Sequence, residues 1–169
     1  MVRSPVELTR MVLPSFRRRN SGTIIYTSSR ASKADLPWTT AYNCAKTSIT
    51  RFAGTLQAEL DALAQIDHLE SSGVDVFSIH PGEVETSLHQ TAFPEKTQKE
   101  APYVIEHMER VSKGRPHFSI ALSAWTCVYL SSGRGKGLRG TMVDCTQDVE
   151  EACQDAESSP RPVITNSCA

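Results

Sequence analysis

The chain has 169 residues, enough for one domain with its own core and too many for a scaffold that needs disulfides or a metal to fold. Eighteen Lys and Arg stand against 19 Asp and Glu, a net charge of −1, so no broad basic field exists for a polyphosphate backbone and nucleic acid is not expected as a partner. With 39% hydrophobic and 22% charged residues, a mean hydropathy of −0.31 and no apolar run near the roughly 20 residues that span a bilayer, a soluble globular chain without a membrane partner is expected.

Residues 4–16 place Val6, Leu13 and Phe16 at near-helical spacing, which predicts a helix weakened at Pro14. Arg17, Arg18 and Arg19 end it favourably against the macrodipole and read as a solvated terminus. Residues 22–28 are β-branched and apolar without alternation, as expected of a parallel strand covered on both faces, and residues 29–37 read as the loop at its carboxyl end. Thr39 or Thr40 is the candidate N-cap of the clearest helix, from Thr40 to Leu63, whose Ala45, Ile49, Phe52, Leu56, Leu60 and Leu63 step by three or four. Residues 74–80 form a second strand stopped by Pro81 and Gly82, so the helix is the crossover of a βαβ unit.

Residues 83–115 are polar, contain Pro94 and Pro102, and are expected to be a long mobile lid with a helical turn or two. Phe118, Ala121, Leu122, Trp125, Val128 and Tyr129 predict a buried helix, and residues 141–145 a last strand. From Thr146 the composition turns to acids, Ser and Pro, which predicts a poorly ordered tail and sets the division at residues 1–148 and 149–169.

Five cysteines, Cys44, Cys127, Cys145, Cys153 and Cys168, are odd in number and form no Cys-x-x-Cys pair, which points to reduced thiols in a cytoplasmic setting. Cys44 reads as small filler on a packed helix, and His80 as a strand-end residue without chemistry. The five histidines are scattered, so no metal site is expected. Gly135, Gly137 and Gly140 match the spacing of a dinucleotide fingerprint, but a helix precedes them and a strand follows, the reverse of what aims backbone N–H groups at a pyrophosphate. They read as a flexible turn.

The informative constellation is Ser29, Tyr42 and Lys46. Tyr42 and Lys46 lie four apart at the start of the strong helix, so both project from one face. A phenol with pKa about 10 is a poor proton carrier at neutrality, and a neighbouring ammonium lowers that value. Such a phenol can protonate a carbonyl oxygen or deprotonate an alcohol. Ser29, in the loop after the first strand, can reach the same region and donate a hydrogen bond to that oxygen.

The joint arrangement resembles the short-chain dehydrogenase/reductase family. The matching segments are Gly22-Thr-Ile-Ile-Tyr-Thr-Ser-Ser29, then Ala41-Tyr42-Asn43-Cys44-Ala45-Lys46, then His80-Pro81-Gly82-Glu83-Val84-Glu85-Thr86, and the resemblance covers about residues 2–148. It implies an α/β fold, the second half only of a Rossmann-type doubly wound parallel sheet. It further implies an oxidoreductase that interconverts a small-molecule alcohol and ketone, with Ser29, Tyr42 and Lys46 catalytic. By the same resemblance Tyr42, Lys46, Pro81, Gly82, Val84 and Thr86 hold NAD or NADP. The family's Gly-rich pyrophosphate turn, its ribose-reading residue and its Asn-Ala-Gly strand end have no counterpart here, and Met1 aligns where an active-site asparagine is common. The resemblance therefore implies a truncated chain with little or no unaided activity. The competing readings are a non-catalytic fragment, or a module that forms a homo-oligomer through the helix from Thr40 to Leu63.

Overall fold

Every residue of the strand Val74–His80 is buried, the polar Asp75, Ser78 and His80 included, because both faces of the strand are covered. The structure, a computed structural model, describes residues 1–86 and 92–158. In chain order the elements are α1 (Arg3–Arg18), β1 (Gly22–Thr27), α2 (Thr40–Ile66), β2 (Val74–His80), α3 (Glu95–Glu100), α4 (Pro102–Ser112), α5 (Ile120–Ser131), β3 (Met142–Asp144) and α6 (Val149–Ser158). The three strands lie in the order β1-β2-β3, all parallel, with Gly22 opposite Val74, Thr27 opposite Ile79 and His80 opposite Asp144. No described strand lies along the outer side of β1.

Successive residues of β2 face opposite sides of the sheet. On one side Val74 and Val76 join Tyr26, Ile49, Ala53, Leu56 and Leu60, with Leu13, Phe16 and Phe52 packed against them, so α1 and α2 cover that face. On the other side Phe77 and Ile79 join Leu130, Leu138, Val143, Cys145 and Cys153, which seats α5 and α6. The result is the α/β layering expected from the sequence, with β1 and β2 joined by the α2 crossover.

Four expectations need correction. The α2 stripe proposed to meet a second copy is used inside the chain: Leu56 and Leu60 are buried, and the Phe52 ring sits 5.8 Å from Tyr26. An association through α2 would have to use its other face. The helix around Trp125 forms, but it is not buried: Ile120 and Trp125 are each about 70% exposed and Val128 is exposed too, while only Thr126 and Leu130 are buried. Its apolar composition is not matched by a covering layer among the described residues. The tail is ordered further than composition implied, because α6 inserts Cys153 against the Gly137 turn. Residues 159–169 lie outside the described residues, as does Cys168. Cys44, expected as packed filler, is exposed.

Residues 83–115 hold more helix than expected, α3 and α4, although residues 87–91 are outside the described residues. α1 runs through Pro14 to Arg18, with Arg17 and Arg18 in its last turn. The Gly135–Gly140 segment forms a short 3₁₀ turn, Lys136–Leu138, between α5 and β3, as read from its context. Burial pushes the Cys145 thiol up to about 11, which keeps it unreactive. No described helix is long and apolar enough to cross a membrane.

Candidate active site

The carboxyl ends of β1 and β2 open into a cavity of about 810 Å³. This is the edge of an open parallel sheet where ligands bind, since each strand end delivers a loop and each following helix presents its N-terminus there. Ser29, Tyr42, Lys46, Pro81, Gly82, Val84 and Thr86 all line it, so every residue singled out from the sequence faces one space.

Each arrives there for a local reason. Ser28 and Ser29 follow β1 directly, and the extended backbone sends them to opposite sides. Ser28 is buried, with its hydroxyl on Thr50 and on Lys46 O, and is fixed in the scaffold. Ser29 caps the 3₁₀ turn Arg30–Ser32 by accepting from Ala31 N at 3.2 Å. Its hydroxyl proton stays available to a ligand oxygen.

Tyr42 and Lys46 occupy the first two turns of α2. The helix starts after Thr39, whose hydroxyl lies within hydrogen-bond reach of Leu36 O and Asn43 Oδ1 instead of capping a backbone amide. Lys46 Nζ donates to Thr27 O at 2.8 Å and lies 5.6 Å from the Tyr42 ring centroid. The cation is thus tied to the end of β1 and held beside the phenol, while Tyr42 remains 39% exposed.

Gly82 turns the chain out of β2 with φ +88°, a conformation favourable for glycine, and a Cβ there would meet Thr146 Cγ2 at 2.9 Å and Phe118 at 3.1 Å. Around this turn lies a charged girdle that sequence reasoning missed. Arg30 Nε bonds Asp144 Oδ2 at 2.8 Å, bridging the ends of β1 and β3 over β2. Arg115 bonds Glu83 Oε1 at 2.6 Å, and Glu83 Oε2 stands 3.8 Å from His80 Nε2. His80 is buried with neither ring nitrogen hydrogen-bonded, and burial holds its imidazole below the ordinary histidine value. Burial also pushes the Asp144 carboxyl up, but the hydrogen bonds from Arg30 and Thr146 outweigh it and keep the group below 3.8. The one signal that pointed to His80 was its place on the last residue of a strand immediately before Pro-Gly. Among the described residues no group of three His, Cys, Asp or Glu is placed to hold a metal.

A parallel sheet between two helical layers, with a Ser, a Tyr-x-x-x-Lys and a Pro-Gly turn at its carboxyl edge, is a half of a Rossmann-type architecture. Solved structures of similar fold include an actinorhodin polyketide ketoreductase with NADPH (TM-score 0.64, 19% identity) and a 7α-hydroxysteroid dehydrogenase with NADH and 7-oxo glycochenodeoxycholic acid (TM-score 0.61, 20% identity). Each alignment covers 85% of this chain and 53% or 50% of the solved one, and shows the fold. The short chain dehydrogenase family model matches residues 1–97, and the chain belongs to that family. It is 34% identical over 157 residues to a short chain dehydrogenase of Pseudocercospora fijiensis, covering 92% of this chain and 48% of that one. It is also 34% identical over 84 residues to dehydrogenase/reductase SDR family member 7B of Danio rerio, covering 50% and 24%. The chain thus spans about half the length, or less, of these curated relatives.

Proposed function

We propose that this chain carries the catalytic half of a cytoplasmic NAD(P)-dependent oxidoreductase that interconverts a small-molecule alcohol and ketone. Residues 1–148 form the second half of its Rossmann-type domain. The observation that carries the reading is the convergence of Ser29, Tyr42 and Lys46 on one cavity at the carboxyl edge of the sheet.

The residues present fit the nicotinamide end of the cofactor. Lys46 uses one of its three N–H groups on Thr27 O, which leaves donors for ribose hydroxyls, and the Pro81-Gly82 turn walls the same space. Tyr42, Lys46, Pro81, Gly82, Val84 and Thr86 are the residues that would hold it. When bound, the nicotinamide supplies the hydride donor or acceptor.

The chain's own groups handle the proton and the oxygen. In reduction the Tyr42 hydroxyl gives its proton to the carbonyl oxygen, and in oxidation it takes the proton from the alcohol. The Lys46 ammonium stabilises the negative charge left on the Tyr42 oxygen, an attraction strengthened by the partly enclosed cavity. Ser29 donates a hydrogen bond to the reacting oxygen and steadies the charge that develops there.

The test uses reduced nicotinamide mononucleotide, which lacks the adenosine half that this chain has no motif to bind. Its fluorescence is expected to change on titration with the chain, and Lys46→Met is expected to weaken that binding about tenfold, the equivalent of one charge-assisted hydrogen bond. No response at any concentration, or an unchanged one in Lys46→Met, would overturn the proposal. The second reading, a non-catalytic interaction module, is favoured by the exposed apolar face of α5 at Ile120, Trp125 and Val128. A nucleotide-silent chain that sediments as an oligomer would support it.

A further inference from the structure

Among the described residues three non-glycine residues have φ in the left-handed region: Asn20 at 45°, Trp38 at 60° and His68 at 58°. Asn20 and His68 follow the carboxyl ends of α1 and α2, where that conformation is ordinary. Trp38 precedes a helix, and a bulky residue in that region is strained. Such strain persists only where the surroundings hold it.

What holds Trp38 is α4. The indole lies 5.7 Å from the Tyr103 ring and 4.6 Å from the His107 ring, meeting the latter edge-on at 73°. Tyr103 and His107 are four residues apart and share one helix face, so the indole spans a full turn of α4. Arg110 Nη2 lies 3.0 Å from His107 Nδ1 on the next turn and fixes the ring from behind.

α4 has no fully buried residue, and Val104, Ile105, Met108 and Val111 are only half-buried, so the contacts near its two ends add to a shallow packing. Beyond its carboxyl end, Arg115 pairs with Glu83 and Phe118 N donates to Glu83 O at 2.8 Å. Near its amino end stands Trp38, with Leu36 two residues before it and Thr39 directly after it. Those two residues line the cavity, as do Arg115 and Pro116. α4 therefore joins two walls of the cavity and is pinned to both.

We propose that Trp38 is a positioning residue whose indole latches α4 beside the cavity and so controls substrate access to Tyr42. The access clause rests on the dehydrogenase reading; the latch does not.

With Trp125→Phe, Trp38 becomes the sole tryptophan of the chain. In that background Tyr103→Ala is expected to make Trp38 more accessible to acrylamide quenching. In the otherwise native chain, Trp38→Ala is expected to speed tryptic cleavage at Lys99, Arg110 and Lys113 by about two- to tenfold, the factor for one aromatic pair, with Trp38→Phe restoring most of the protection. Unchanged quenching, or unchanged cleavage in both Trp38→Ala and Tyr103→Ala, would overturn the latch. Neither measurement needs a nucleotide, so each decides the latch even if the dehydrogenase reading fails. Where turnover is measurable, Trp38→Ala is expected to raise KM more than it lowers kcat, and a loss confined to kcat would overturn the access role.

Discussion

The Val76 amide donates a 2.7 Å hydrogen bond to Oε1 of Gln57, while Nε2 of the same side chain donates to Val74 O at 3.3 Å. β3 reaches only the last three residues of β2, so the earlier part of that strand completes its ladder on a helix side chain and on Gly140 N, which donates to Val76 O. Gln57→Leu leaves the buried Val76 amide without this partner and takes one donor from Val74 O, which keeps the Ser72 hydroxyl. It is expected to lower stability by about 1–3 kcal/mol, read from urea denaturation midpoints. A loss under about 0.5 kcal/mol, the size of an ordinary surface change, contradicts this account.

Gly82→Ala introduces a Cβ at 2.9 Å from Thr146 Cγ2 on a backbone with φ +88°. The expected cost is about 1–3 kcal/mol, together with a weaker response to reduced nicotinamide mononucleotide because the cavity wall shifts. Native stability and binding in the variant would show that the turn relaxes freely.

Acid should weaken the fold through His80. Burial holds its imidazole below 6.5, Asp144 and Glu83 draw it up, and Arg30 and Arg115 push it down. The unfolded chain therefore takes up a proton near pH 6.5 that the folded chain refuses, so stability is full above that pH and declines as pH falls toward the folded value. Asp75 acts with the opposite sign: burial raises its carboxyl above 3.8 against the pull of Arg139, and its contribution is lost as pH rises from there. The comparison that isolates His80 is the thermal midpoint at pH 7 and 5.5 in the native chain and in His80→Leu. The variant is expected to lose part of the decline, and identical slopes would remove His80 from the explanation.

Tyr42→Phe removes the proposed proton carrier and keeps the ring beside Lys46. In an assembled enzyme it is expected to cut turnover by about 10²–10⁴ while leaving nucleotide binding largely intact. Retained turnover would assign the proton to another group.

The sequence made legible whatever depends on neighbours along the chain. Residues 74–80 read as a strand stopped by Pro81 and Gly82, and the structure places β2 there; the four-residue spacing of Tyr42 and Lys46 becomes a shared helix face. What it hid depends on residues distant in sequence. Arg30 and Asp144 are 114 positions apart, and nothing local announces that they bridge two strand ends. Trp125 misled for a related reason: periodicity reports that a helix has an apolar side, and whether anything covers that side is decided elsewhere. The acidic composition after Thr146 likewise concealed the small apolar residues Val149, Ala152, Cys153 and Ala156 that dock α6.

Among the described residues no strand lines the outer rail of β1. Apart from Thr27 O, which Lys46 Nζ takes, every second amide and carbonyl from Gly22 to Thr27 points along that rail in the spacing that another parallel strand would complete. Concentrated preparations of the isolated polypeptide will consequently tend to accrete copies rim to rim, and a co-expressed segment that fills the gap should keep them dispersed.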